Sequence, residues 1–261
     1  VDITILGDTT YEGDETVKVT FSGDRVNSAV TSTGTITEND ANPDTTSQTF
    51  TLTTQVDDGS DFAGAGADDT FDGNVANSWS INDDLDGGDG TDTLDATFGT
   101  TDAATTRVLE ANTASIEVFN ITVTPIGGAT NSATIDFEDV TADSLSITNI
   151  GSDDENLTIS NLTQVPTLNI NTNSGDTTFG FKDSAITSAT DDLVINLDGA
   201  ETASTLTLTV AQGSGSETIE TVSFVSGSVA NTITTFSSAD VGTTKLEITG
   251  DTNLTIANTV D

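Results

Sequence analysis

The chain has 261 residues, of which 43 are Asp or Glu and 5 are Lys or Arg, and it contains no histidine, cysteine or methionine. A formal charge of −38 at pH 7 repels phosphate backbones and anionic lipid headgroups, so we expect neither nucleic-acid binding nor electrostatic docking to a membrane. The missing cysteine excludes disulfides, thiol catalysis and thiolate metal sites. The acid is mostly Asp beside Gly and Asn, a composition that suits oxygen-rich calcium loops better than adaptation to salt.

Four zones follow one another along the chain. Residues 1–41 contain short apolar and polar alternations such as Val17–Phe21, which are typical of strands. Residues 42–47 carry turn formers without an apolar anchor and are predicted to be a linker. Residues 48–98 are dominated by Asp and Gly, and residues 99–261 are rich in Thr and alternate at period two. Because no apolar run approaches the roughly 20 residues that cross a bilayer, we expect no membrane insertion.

The Thr-rich zone repeats a pair of apolar residues around one polar residue. Between residues 145 and 208 the pairs recur every ~11 to 14 residues, as in a β-solenoid with two or so short strands per coil or in an antiparallel sandwich. We favour the solenoid, because pairs separated by Asn and Thr suit polar ladders between coils. The fold is therefore predicted to be all-β. The pairs begin with Leu145-Ser146-Ile147, Leu157-Thr158-Ile159, Leu168-Asn169-Ile170, Phe179-Gly180-Phe181, Leu193-Val194-Ile195 and Leu206-Thr207-Leu208.

The sharpest motif is the nonapeptide Gly87–Asp95, which satisfies the pattern G-G-x-G-x-D-x-U-x at every defined position. Glycines such as Gly88 and Gly90 allow the tight turn, the carbonyls turn inward, and Asp92 supplies a carboxylate. Leu94 then begins a strand that faces the core. The pattern predicts a calcium-binding turn, with a merely solvated turn as the alternative.

A second, degraded copy lies upstream, at residues 64–73. Its Asp69-Thr70-Phe71 matches Asp92-Thr93-Leu94, but Ala67 stands where the pattern has Gly. Because one ion is shared between successive coils in such turns, the two copies support each other. Exposed loop aspartates around them are either further ligands or only solvated. In all, the candidate metal ligands in these turns are Asp57, Asp58, Asp61, Gly66, Asp68, Asp69, Asp83, Asp84, Asp86, Gly88, Asp89, Gly90 and Asp92.

Two longer stretches carry a resemblance to a known family. The segment Gln48–Phe98, with its runs FTLTT, DDTFDG and LDGGDGTDTLDATF, resembles the calcium-binding segment of RTX-type bacterial surface-layer and surface-adhesin proteins. Ser115–Ile121 and Thr218–Phe224 are similar to the repeats of that family that read I-E-T-hydrophobic-N-hydrophobic. The resemblance covers residues 48–261 and implies an RTX-like calcium-binding segment at 48–98, followed by a Thr-rich β-solenoid-like domain at 99–261.

The first zone resembles a different family. Val1–Leu6, Asp8–Val17 and Thr33–Asp40 are similar to the C-terminal half of a Calx-β domain, which is a calcium-binding β-sandwich. The resemblance implies a partial sandwich at residues 1–41 whose acidic triplet, with Glu38 and Asp40, ligates an ion. An exposed half-sandwich has unpaired strand edges, so we expect preceding sequence or another subunit to complete it.

These observations predict a function without catalysis. With neither His nor Cys, and with no carboxylate pair that stands out among 43 acids, we expect no enzymatic activity. The expected function is that of a structural subunit in a secreted, calcium-dependent assembly at the cell surface, a homo-oligomeric lattice or filament. The alternative is a calcium-stiffened adhesin module that binds a cell-surface glycan, lipopolysaccharide or another cell. We expect the chain to be an internal or processed segment of a longer protein.

Overall fold

The computed structural model describes residues 15–21, 30–37, 46–99, 106–110, 113–124, 132–149, 156–173, 175–187, 190–199, 205–211, 218–238 and 241–260. These residues form twenty β-strands and two short 3-10 segments, Gly59–Phe62 and Asp183–Ala185. The strands are β1 (Glu15–Phe21), β2 (Val30–Ile36), β3 (Thr49–Thr51), β4 (Thr70–Gly73), β5 (Leu85–Asp86), β6 (Thr93–Gly99), β7 (Thr106–Glu110), β8 (Thr113–Ala114), β9 (Val118–Thr124), β10 (Ser132–Asp136), β11 (Ser144–Asn149), β12 (Asn156–Leu162), β13 (Thr167–Asn173), β14 (Asp176–Lys182), β15 (Asp192–Leu197), β16 (Thr205–Ala211), β17 (Thr221–Ser226), β18 (Asn231–Ser237), β19 (Lys245–Gly250) and β20 (Leu254–Val260).

Two parallel sheets carry the fold. The nine-stranded sheet runs in the order β19-β17-β15-β13-β11-β9-β6-β4-β3, and the seven-stranded sheet in the order β20-β18-β16-β14-β12-β10-β7. From β6 onward each coil of the chain adds one strand to each sheet, so that the chain winds through a parallel β-solenoid of about seven coils. A small third sheet pairs β5 with β8 at one corner.

In-register stacking of apolar residues forms the core between the two sheets. In the nine-stranded sheet one position of the register is apolar in every strand, and seven consecutive members of this column, from Phe71 to Phe224, are 0% exposed. Alternation at period two sends these residues inward and their Thr, Ser and Asn neighbours outward. The column comprises Phe50, Phe71, Leu94, Phe119, Leu145, Leu168, Ile195, Phe224 and Ile248.

The solenoid confirms the all-β prediction and explains the spacing of the apolar pairs. Leu145 and Ile147 belong to the nine-stranded sheet, whereas Leu157 and Ile159 belong to the seven-stranded sheet. Consecutive pairs therefore alternate between sheets, with two strands per coil. Both the Asp-rich zone and the Thr-rich zone contribute strands to the nine-stranded sheet.

The first zone is described only as an antiparallel pair, β1 and β2. Val17, Val19 and Ile36 are partly buried, and the residues that alternate with them on these strands are exposed. The candidate ligands Glu38 and Asp40 lie outside the described residues, and the partial Calx-β-like sandwich stays a prediction. Among the residues that the structure describes, no helix is long and apolar enough to cross a membrane.

Truncating one member of the core column should destabilise the whole stack. Phe224 is 0% exposed and meets Phe236 edge to face, with ring centroids 5.1 Å apart. We expect Phe224→Ala to lower the free energy of unfolding by about 3–5 kcal/mol, measured by urea denaturation, because it leaves a cavity between the sheets. Val225→Ala, at the outward-facing neighbouring position, should cost less than about 1 kcal/mol. Equal losses in the two variants would contradict the assignment of the core.

Candidate functional site

The two copies of the glycine-rich motif lie on neighbouring coils, at the same corner of the solenoid. Thr70 pairs with Thr93 and Phe71 with Leu94, which confirms the sequence alignment of the two copies. The Asp89 N–H donates to the carbonyl of Ala65 at 2.6 Å, and the Gly64 N–H donates to the carbonyl of Asp86 at 2.7 Å. We call this corner, from residues 64–69 and 87–92 to Glu117 on the next coil, the acidic corner.

Glycines allow the turns of the acidic corner to approach each other closely. A Cβ atom added to Gly87 would lie 1.9 Å from the carbonyl oxygen of Ser115 and 2.5 Å from Asp92 Oδ2. Gly88 and Gly90 have positive φ angles of 84° and 138°, as the motif predicts. Ala67, which occupies the position of Gly90 in the upstream copy, is not among the residues with positive φ, so the upstream turn has a different backbone.

Carboxylates at the acidic corner accept hydrogen bonds from the backbone one coil earlier. The Gln48 N–H donates to Asp69 Oδ1 at 2.7 Å, and the Asp69 N–H donates to Asp92 Oδ1 at 2.7 Å. The Asp92 N–H donates in turn to Glu117 Oε2 at 2.9 Å. Each acid stands immediately before a strand of the nine-stranded sheet. The result is a ladder of carboxylates that ties successive coils together.

Glu117 is a member of this site that the sequence motifs do not predict. Glu117 and Glu220 have the same position relative to their strands as Asp92 does, and the Asp191 N–H donates to Glu220 Oε2 at 2.8 Å. The signal in the sequence is an acid two residues before the first core residue of a coil, as in Glu117 before Phe119 and Glu220 before Val222.

Two other candidate ligands meet away from this corner. Asp57 and Asp83 are at most 2% exposed, and the Asp57 N–H donates to Asp83 Oδ1 at 3.0 Å. The N–H and hydroxyl of Thr53 donate to the two oxygens of Asp57, and the N–H and hydroxyl of Ser80 donate to those of Asp83. These two aspartates thus cap loop backbone. Burial is the main cause that raises the pKa of Asp83 above its ordinary value.

Asp92 is the exception among the buried acids. Asp57, Asp69, Asp83 and Asp92 are at most 2% exposed, and every carboxylate oxygen of the first three accepts a hydrogen bond. Asp92 Oδ2 is buried, has no hydrogen-bond partner and faces Gly87. Burial, together with the charges of Glu117, Asp69 and Asp68, raises the pKa of Asp92 to about 6, although the Asp69 N–H opposes this.

The remaining candidates are at the surface of the turns. Asp58, Asp61, Asp68, Asp84, Asp86 and Asp89 are exposed, and Gly66 lies in the upstream turn. The Thr91 N–H donates to Asp68 Oδ1 at 2.9 Å, and the Gly88 N–H to Asp86 Oδ1 at 3.2 Å. Within the described ranges, no three acidic side chains form a group that could hold a metal ion by themselves.

The chain segments that form the acidic corner contain no basic residue. Residues 57–95 contain twelve aspartates and neither lysine nor arginine. The ion pairs of the described residues lie elsewhere, between Lys182 and Glu138 and between Lys245 and Glu247. Asp92 Oδ2 therefore has no basic partner among the described residues. Comparisons with family models, with curated proteins and with solved structures find no match for the chain.

An added methyl group at Gly87 should disrupt the corner. We expect Gly87→Ala to lower the melting temperature by several degrees, because the new Cβ overlaps the carbonyl oxygen of Ser115. Gly34→Ala is the control, since nothing lies within 4 Å of a Cβ added there. Thermal denaturation followed by circular dichroism measures both, and an unchanged melting temperature in Gly87→Ala would contradict the stacked turns.

Removing the charge of Asp92 should stabilise the metal-free protein at neutral pH. The folded state raises the pKa of Asp92 to about 6 from 3.8, so it binds the proton more tightly than the unfolded chain does. The penalty for the ionised group is full above about pH 6 and falls as the pH drops toward 3.8. In chelator, we expect Asp92→Asn to gain up to about 3 kcal/mol at about pH 7.5 and roughly half of that at about pH 5.

Urea denaturation of both proteins at each pH measures this difference, and the other acids cancel because both proteins contain them. A gain that is equal at the two pH values would contradict a buried, ionised Asp92 in the metal-free fold.

Proposed function

We propose that the protein is a non-catalytic structural subunit of a secreted, calcium-dependent assembly at the cell surface, a surface layer or a fibre. The observation that carries this proposal is the free, buried Oδ2 atom of Asp92 in a corner without any base. The solenoid supports it further, because coils that contact only their neighbours form an elongated stack with repeating outer faces.

The residues at the acidic corner fit a hard, oxygen-preferring cation. Calcium is coordinated by carboxylate oxygens, backbone carbonyl oxygens and water in combination. A site at Asp92 therefore does not need three acidic side chains. Asp92 would hold the ion through Oδ2, since its Oδ1 accepts the Asp69 N–H. Glu117 and Asp69 lie one coil away from Asp92, one on either side, and the charge of an ion bound there would attract both carboxylates. A bound calcium ion supplies the positive charge that the chain itself lacks.

Calcium binding at this corner would be coupled to folding. The free energy of binding adds to the stability of the folded state, because the unfolded chain does not hold Asp92 and the turns in place. The chain would then be loosely folded where calcium is scarce, as in the cytosol, and compact after export. Such coupling supports an extracellular location, because the scaffold would become compact only where calcium is available.

Calcium should raise the melting temperature of the protein and produce ordered assemblies. At about 100 times the dissociation constant, binding stabilises the fold by about 2.7 kcal/mol, which corresponds to a rise of roughly 5–10 °C. Circular dichroism gives the melting temperature in calcium and in chelator, and electron microscopy of the same samples detects sheets or filaments.

Asp92→Asn is the matched variant, since it keeps the size of the side chain and removes its charge. We expect it to lose most of the calcium-dependent rise. The same rise in both proteins would contradict the site, and dispersed monomers in calcium would contradict the assembly and favour an adhesin module that binds a glycan or lipopolysaccharide.

A further inference from the structure

The outer face of the seven-stranded sheet carries an unbroken column of hydroxyl groups. The register places one hydroxyl residue of each of five neighbouring strands, β10, β12, β14, β16 and β18, directly beside the next. Their neighbours along the strands, such as Ile135, Ile159 and Phe179, are buried, so the column faces outward. At a strand spacing of about 4.8 Å the column is about 19 Å long. Its members are Thr134, Thr158, Thr178, Thr207 and Ser237.

These hydroxyls are available for contacts outside the chain. All five side chains are half-buried by their neighbours in the ladder, and in the described part of the chain none of their hydroxyls is hydrogen-bonded. The nine-stranded sheet differs, because its outward amides bond within the sheet. The Asn120 amide donates to Asp95 Oδ1 and the Asn196 amide to Asn169 Oδ1, each at 2.8 Å.

This face carries few charges on a strongly anionic chain. The described outward positions of β10 to β18 carry two unpaired carboxylates, Asp136 and Asp176, and one ion pair lies at an edge, between Lys182 and Glu138. Each carboxylate is bound to its own chain, Asp136 by the Asn161 amide at 2.9 Å and Asp176 by the Thr205 N–H at 2.8 Å. Each copy carries a charge of −38, so the repulsion between two copies is smallest when the outer faces of their seven-stranded sheets meet.

The size and shape of the face suit a second copy of itself. Seven strands at about 4.8 Å spacing and about 20 Å length cover an area of about 700 Å² per copy, close to the roughly 800 Å² per partner of stable interfaces. Threonine side chains are stiff at χ1 and present a methyl group beside each hydroxyl, so facing columns can interdigitate as two packed sheets do.

We propose that two copies dock face to face through the outer surface of the seven-stranded sheet, with the hydroxyl column at the centre of the contact. The inference rests on the proposed function, since it names the lateral contact of that assembly. β14 is the central strand of the sheet, so a two-fold axis through the contact passes close to Thr178 in both copies.

A charge introduced into the column should prevent docking. In the double variant Thr158→Glu with Thr178→Glu, each copy meets the same new carboxylates across the two-fold axis. The control is Thr122→Glu with Thr148→Glu, a directly paired couple on the outer face of the nine-stranded sheet. In calcium, analytical ultracentrifugation should show that the first variant needs at least ten-fold more protein to associate, whereas the control behaves like the wild type. Circular dichroism verifies that both remain folded.

A cysteine supplies a second test that leaves the fold intact. Because the chain contains no cysteine, Thr178→Cys provides one unique thiol. Sheets that pack face to face lie about 10 Å apart, beyond the reach of a disulfide, so a short bismaleimide should join two copies into a covalent dimer. Thr122→Cys, on the other face, should associate like the wild type but form no covalent dimer. If calcium-dependent assembly survives the Thr158 and Thr178 variant and Thr178→Cys does not cross-link, the docking face is wrong while the proposed function stands. If the wild type does not associate in calcium, both proposals fail.

Discussion

Parallel, in-register stacking is the constraint on which the other features of this protein depend. Each coil lies about 4.8 Å from the next, so whatever occupies one position is repeated as a column along the solenoid. An apolar column such as Phe71, Leu94 and Phe119 gains from this repetition, because each member is covered by the coils before and after it. A charged column loses from it, because like charges then lie one coil apart in a medium of low dielectric.

Backbone N–H groups offset part of the electrostatic repulsion between the carboxylates of the acidic column. Asp69, Asp92 and Glu117 each accept an N–H from the preceding coil, and hydrogen bonds to ionised acceptors are among the stronger ones in proteins. The ladder satisfies one oxygen per carboxylate but adds no positive charge. Asp92 retains an unpaired oxygen, and the raised pKa of this residue follows mainly from its burial. The same ladder thus binds the coils together and leaves a buried carboxylate oxygen that the proposed cation would stabilise.

Much of the fold could be predicted from the sequence, because it depends on a local pattern. Period-two alternation and apolar pairs every ~11 to 14 residues predict two strands per coil, and the match of Asp69 with Asp92 predicts their stacking. The role of Glu117 was not predicted, because its signal, an acid two residues before the first core residue of a coil, is recognisable only once the core column is known. The spacing of paired core residues also varies, from 21 residues between Phe50 and Phe71 to 29 between Ile195 and Phe224, so no fixed period reveals the columns.

The two features that the register creates, the acidic corner and the hydroxyl column, have opposite electrostatic consequences for assembly. A face with few charges lets copies approach. The twelve aspartates at residues 57–95 are present in every copy and repel their equivalents over roughly 8 Å at physiological ionic strength. Such short-range repulsion hardly opposes a single face-to-face contact and acts mainly where several copies crowd together. In the proposed assembly the column therefore determines which faces meet, whereas a cation bound at the corner determines how densely the docked copies can pack.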